Sequence, residues 1–438
     1  MTTFSNRPRN DAPTSSTTLF TPLRVGALHL PNRLAVAPMT RVSATADGHA
    51  TAQMAEYYEA FAAGGFGLVI TEGIYTDKAH AQGYLFQPGL ADDAQREAWR
   101  PVVDRVHARG GRIIAQLMHA GALSQGNPHR SGTKGPSAVQ PAGQQMTFYR
   151  GQGPYRMPEA MTIDEIAEAV DGFAQAARRA REAGFDGVEI HGANGYLLDQ
   201  FLGAHTNLRE DRYGGSVDNR LRLTLEVIQA VRQSTPAGFV VGVRSSQGKV
   251  NDFTHKWPGG EDEAAQIFGA LGAQPIDYLH TTEFEAWRPA FGEDGPSLAA
   301  LARRHVSVPV LANGSLHDVA RAEDLMARQE ADFVSLGRGA LTHADWPARL
   351  RTAQPQEEFD RGLLAPIADL DNAARHRAQA LPACSVGGGS ARTQQGLIDP
   401  RPDAGDRGIA MCHPHHLQPQ RQAIDGHQRH VDRGRAQQ

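Results

Sequence analysis

Between Arg33 and Leu336 the chain alternates eight short apolar runs with longer stretches of helical period, and nothing else in the sequence restricts its fold as strongly. The runs are Arg33–Ala37, Leu68–Thr71, Arg112–Gln116, Gly187–His191, Phe239–Arg244, Tyr278–Thr281, Val310–Asn313 and Asp332–Leu336. Short apolar runs that stop at polar residues or Gly are the pattern of strands covered on both faces. The intervening stretches include Asp92–Arg109, Ile163–Ala183, Asn219–Gln233, Glu261–Leu271 and Leu316–Gln329. Within the second, Ile163, Ile166, Val170, Phe173, Ala177 and Ala180 recur three or four apart, one apolar stripe to lay on a sheet. Eight such units predict an α/β fold, a (β/α)8 TIM barrel, over 19–372. A doubly wound sheet has fewer units and a Gly-rich first turn, whereas the first run here ends Ala37-Pro38-Met39-Thr40.

Composition sets the limits of that barrel. Residues 1–18 are polar, contain Asp11 and lack an apolar h-region, so they read as a flexible start and not a signal peptide. From Ala373 to Gln438 there is no Phe, Trp, Tyr, Lys or Glu, and nine Arg stand against five Asp. Such a segment has almost nothing with which to build a core, so 373–438 is expected to be a disordered, dispensable tail or an out-of-frame translation. Cys412, His413, His415 and His416 within it fit no closed tetrahedral spacing. Two Cys in all, Cys384 and Cys412, exclude a disulfide framework and a four-cysteine cluster. A net charge of −4 with only four Lys gives no footprint for nucleic acid or anionic membrane. No apolar run approaches the roughly 20 residues needed to span a bilayer, which leaves a cytoplasmic protein acting on small molecules.

In barrels the chemistry gathers at the C-terminal ends of the strands. There this sequence places Thr40, Gly73, Gln116, then His191, Asn194 and Tyr196, then Arg244, Asn313-Gly314 and Gly337-Arg338. Singly, each is a cap, a turn or a satisfied polar group. Together, from seven of eight strands on one rim, they describe a pocket. Barrel metal sites need several His and carboxylates converging, and this rim offers amides, Arg, Thr and one His.

From about Leu19 to Asn372 the chain resembles the old yellow enzyme family of flavin-dependent ene-reductases. The most specific match is His191-Gly-Ala-Asn194-Gly-Tyr196-Leu-Leu-Asp-Gln-Phe201-Leu. Supporting it are Ala37-Pro38-Met39-Thr40-Arg41, Ile70-Thr71-Glu72-Gly73, Gln116-Leu-Met-His119-Ala-Gly121, Asp211-Arg212-Tyr213-Gly214-Gly215-Ser216 and Ser335-Leu-Gly337-Arg338. The resemblance implies FMN as cofactor and NAD(P)H as reductant, in a ping-pong reduction of the activated C=C of enals, enones, maleimides or nitroalkenes. It places Pro38, Met39, Thr40 and Gly73 on the O4 and N5 side of the flavin and Gln116 on its pyrimidine edge. Arg244 falls beside N1 and the C2 oxygen, where a fixed cation favours the reduced form. Asn313, Gly314, Gly337 and Arg338 stand where barrels commonly hold phosphate. His191 and Asn194, three apart, would project together from a helical turn and donate to one substrate oxygen, with Tyr196 as proton donor.

Departures bear on substrate. Met118 stands where many members have Trp, and the family's aromatic C-terminal segment is missing. The stretch 246–257, with Tyr149, Tyr155 and Phe284, is expected to line the mouth. The related dienoyl-CoA reductases and amine dehydrogenases are excluded by the two Cys and the missing Rossmann fingerprint. Two alternatives remain, a flavin-binding barrel without turnover and a reductase of another class such as nitrate esters. The expected partner is a small activated alkene, the protein being a monomer or homodimer.

Overall fold

All eight apolar runs become parallel strands, and the strands close on themselves. In the computed structural model, which describes residues 18–380, they are β1 Leu34–Val36, β2 Leu68–Ile70, β3 Ile113–Met118, β4 Gly187–Asn194, β5 Val240–Lys249, β6 Tyr278–Thr282, β7 Val310–Asn313 and β8 Phe333–Leu336. Each pairs with the next, and β8 returns to β1 through Ser335 opposite Ala35, so the eight-membered ring has no free edge. Helices α1 Ala52–Ala63, α2 Asp93–Ala108, α3 Ile163–Ala183, α4 Leu197–Leu202, α5 Val217–Gln233, α6 Gly260–Gly272, α7 Leu298–His305 and α8 Val319–Ala327 follow the strands in turn.

Helix starts are written locally. Thr51, Asp92, Ser216, Ser297 and Asp318 each accept a hydrogen bond from a backbone N–H of the first turn, and Thr162 forms a capping box with Glu165. The stripe expected on α3 is buried at Ile166, Phe173, Ala177 and Ala180, while Ile163, in the first turn, stays 43 % exposed.

Inside the barrel the floor is apolar. Ala35, Leu68, Ile70, Ile114, Val240, Tyr278, Leu311 and Phe333 pack together, and Val25 and Leu30 of an N-terminal hairpin close them from below. That hairpin leaves only the opposite, C-terminal end open to a ligand.

Two expectations need correction. β5 does not stop at Arg244 but runs to Lys249, because after an irregularity Lys249 pairs again with Asn194. Nor does packing end at the composition break. After α9 Arg338–Thr342 and α10 Trp346–Arg351, helix α11 spans Leu370–Ala380, with Ala373 buried, Arg377 Nη2 on the Leu341 carbonyl at 2.8 Å and His376 Nε2 2.6 Å from Asp360. Ala-rich sequence is good helix former, and here Arg and His supply contacts that aromatics would otherwise make. The rest of the expected tail, with its Cys and five of its His, lies outside the described residues, as do residues 1–17. Among the described residues no helix is long and apolar enough to cross a membrane.

Truncation can separate composition from packing. Ending the chain after Asn372 should lower the melting temperature by roughly 2–4 °C, the scale of a lost kilocalorie per mole in a large domain. Ending it after Ala380 should leave the melting temperature unchanged. Equal melting temperatures for both truncations would show that α11 adds nothing.

Candidate active site

The strand ends open onto a cavity of about 1000 Å³, its mouth included, lined by Pro38, Met39, Thr40, Gln116, His191, Asn194, Tyr196, Arg244, Gly337 and Arg338. The structure therefore brings together ten of the residues singled out from sequence. Gly73, Asn313 and Gly314 are not on its lining and act from behind it. Gly73 is small because a Cβ would sit 2.5 Å from Met118 Sδ, and its carbonyl is taken by Gln87 Nε2 at 2.7 Å. Asn313 Oδ1 accepts from Arg244 Nη2 at 3.0 Å and from Thr282 at 2.8 Å, so it aims the cation. Gly314 has φ +142°, and a Cβ there would meet the Glu283 carbonyl at 2.3 Å. Arg338 bonds Ser315 Oγ and lies over the Phe284 ring.

Beneath the cavity lies a polar layer that sequence reasoning missed. Glu189, on the inward face of β4, has no exposed surface. Its carboxylate accepts from Gln116 Nε2 at 2.8 Å, Tyr278 Oη at 2.9 Å and His280 Nδ1 at 2.8 Å, and His280 Nε2 lies 3.0 Å from Ser335 Oγ. Burial pushes the Glu189 carboxyl up, but His280, Arg244 and the Gln116 bond outweigh it and hold the group at about 2. Gln116 is thereby fixed with its amide nitrogen turned to Glu189, leaving the carbonyl end for a ligand. The missed signal was Glu two residues before His191 in a strand buried on both faces, since period two puts both on the barrel's inner side.

His191 and Asn194 do converge, but not on a helical turn. β4 continues through Asn194, and α4 begins only at Leu197. Three residues apart on a strand they would face opposite sides. Asn194 instead adopts φ +62°, a left-handed conformation that Asn tolerates, and this turns the chain so that both line the cavity. The turn is pinned by Asn194 N–H on Ser246 Oγ at 2.8 Å, Val250 N–H on the Asn194 carbonyl at 3.0 Å and Gly195 N–H on Asp199 Oδ2 at 2.6 Å. Burial, then the charge of Arg244, pulls His191 down to about 3, so its imidazole is neutral at ordinary pH. Burial pushes the Tyr196 hydroxyl well above its ordinary value, against a hydrogen bond with Tyr84 Oη that lowers it. Tyr84 carried no sequence signal, because it arrives from a loop far along the chain.

Around the mouth, Tyr149, Val250 and Phe253 line the cavity as expected, and Phe253 is 79 % exposed. Tyr155 and Trp257 are instead buried in packing, and Phe284 lies outside under Arg338.

A family model described as NADH:flavin oxidoreductase / NADH oxidase matches residues 18–357. The chain is 33% identical over 349 residues to an NADH oxidase of Thermoanaerobacter brockii, covering 77% of this chain and 51% of that one, so it spans about half the length of that relative. It is 35% identical over 350 residues to a probable flavin mononucleotide-dependent alkene reductase of Leishmania infantum, covering 77% of this chain and 92% of that one. Among solved structures, an old yellow enzyme homologue from Zymomonas mobilis superposes with a TM-score of 0.73 at 35% identity, over 81% of this chain and 98% of that one.

The polar layer makes a stability prediction with a sign. A carboxyl held from its ordinary value down to about 2 stabilises the fold above that ordinary value and loses this as pH falls toward 2. Glu189→Gln should therefore lower the unfolding free energy at neutral pH. The gap to the unsubstituted chain should narrow progressively below about pH 4.5. Denaturant titrations across that range check it, and a gap independent of pH would contradict the charged assignment.

Proposed function

The chain belongs to the NADH:flavin oxidoreductase / NADH oxidase family, the family of the old yellow enzymes, and from its site we propose that it reduces the activated C=C bond of enals, enones, maleimides or nitroalkenes with NAD(P)H. The observation that carries this reading is the meeting of a neutral His191, Asn194 and the Tyr196–Tyr84 pair in the same cavity as Arg244. A flavin-binding barrel without turnover has no use for that trio.

The residues fit FMN. Arg244 Nε and His191 Nδ1 are buried with no hydrogen-bond partner among the described residues, so both are donors or acceptors awaiting a ligand. Arg338 and Gly337 would hold the phosphate, Arg244 the electron-rich edge of the ring, and Gln116 its pyrimidine edge. Held by these residues, FMN would supply the hydride-transfer chemistry between nicotinamide and alkene.

The chain's own residues do the rest. His191 and Asn194 donate to the carbonyl or nitro oxygen, stabilising the negative charge that grows there as the double bond is reduced. A neutral imidazole can do this without ionising, so the KM of an enone should stay flat between about pH 5 and 9. Tyr196 Oη, kept protonated by burial, gives its proton to the α-carbon, and Tyr84 fixes the hydroxyl's position.

Three measurements test this. Arg244→Ala and Arg338→Ala should each weaken FMN retention roughly tenfold to a hundredfold, the value of one charge-assisted bond. Flavin content after desalting reads it, and full occupancy in both would sink the assignment. Tyr196→Phe should leave flavin reduction by NAD(P)H nearly intact while slowing reduction of a weakly activated enone by about 10² to 10⁴. Stopped-flow absorbance follows each half, and equal slowing of both would remove Tyr196 as the acid. Turnover of a nitrate ester with none of any enone would shift the substrate class.

A further inference from the structure

A second cavity, about 810 Å³ with its mouth, lies between α1, α9 and α11, on the far side of Arg41 from the one described above. Arg41 and Leu341 line both. Arg41 is only 1 % exposed. Its Nη2 reaches the carbonyls of Leu363 at 3.4 Å and Asp369 at 3.1 Å, while Nε and Nη1 have no partner among the described residues. The hydroxyl of Tyr57, whose ring lies 5.7 Å from the guanidinium, is likewise buried and unpartnered. Arg377 adds a second cation to the lining.

Counter-charge is scarce. Glu72, the nearest buried carboxyl, spends itself on the backbone N–H groups of Arg41 and Val42 and on Tyr58 Oη rather than on the guanidinium. Burial pushes it up to about 7, so near neutral pH it offsets Arg41 only in part. Glu56 on the lining is exposed, 3.9 Å from Arg105. The remaining walls are apolar, with Phe61, Leu341, Leu363 and Leu370 among them.

Unpaired donors around a cation select an oxyanion, since a buried donor left without an acceptor is costly and a charged acceptor repays it best. Apolar walls select a ligand with a hydrocarbon body rather than a small hydrated ion. From this we propose that the cavity binds an organic monocarboxylate, its carboxylate on Arg41 and Tyr57 and its apolar body against Phe61, Leu363 and Leu370. The site is separate from the reaction described above and does not depend on it.

Calorimetric titration of the full-length, FMN-loaded protein tests this with hexanoate, hexanamide and inorganic phosphate as probes. Hexanoate should bind at one site, and hexanamide and phosphate at least tenfold more weakly. Tyr57→Phe, which removes one hydroxyl and keeps the ring, should weaken hexanoate about tenfold, the worth of one charge-assisted bond. Ala374→Phe, at an exposed position of α11 that lines the mouth, should abolish hexanoate binding while leaving enone turnover unchanged. Absence of hexanoate binding, equal affinity for hexanamide or phosphate, or full binding by Ala374→Phe would each overturn the proposal.

Discussion

A carboxylate with no exposed surface sits in the middle of the barrel, and the form of the cavity above follows from satisfying it. Removing Glu189 from water costs several kilocalories per mole unless its oxygens find donors. They find three, from Gln116 on β3 and from Tyr278 and His280 on β6, with Ser335 on β8 beside the far nitrogen of His280. Strands distant in sequence are thus tied at one level of the barrel. The same bonds decide what is left over for a ligand. Gln116 keeps its carbonyl end free, and Arg244, drawn toward Glu189 by charge but bonded to Asn313, keeps Nε without a partner among the described residues. The solution to one burial problem is a floor that offers a fixed cation and an oriented amide.

The loops over that floor are held by the same device. Asp199, paired with Lys249 at 2.5 Å in a site where both are almost fully buried, turns its other oxygen to Gly195 N–H and so holds the turn between Asn194 and Tyr196. Glu72 accepts the backbone N–H groups of Arg41 and Val42, just beyond Thr40, where Val42 carries the unusual φ of +38°. Carboxylates at the ends of rigid elements thereby impose backbone conformations that their own residues would not choose. Groups that must meet a substrate stand on turns fixed from beneath, leaving their polar ends uncommitted.

Much of this was legible in the chain. Runs of apolar residues located all eight strands, because a strand covered on both faces has no alternative composition. Rim positions followed, because in a barrel the residue just past each run must face the open end, and eight of the eleven named there line one cavity, together with Pro38 and Met39, which the family resemblance added. The exceptions were residues whose part is indirect. Asn313, Gly314 and Gly73 occupy rim positions and serve by orienting, by leaving room and by accepting a bond from behind.

Sequence by itself determined the alternation of strand and helix, the caps that start the helices, and the residue types at the strand ends. Each is written in neighbouring residues, through spacing, burial and local hydrogen bonds. Only the tertiary structure decided which of those residues are neutral, which are charged and which point inward. A lowered His191, a raised Tyr196 and an ionised Glu189 arise from water being excluded and from charges brought close by strand register across the barrel. Tyr84 reaches Tyr196 across 112 positions of chain. Distances of that kind are set by closure of the ring, and no local pattern encodes them.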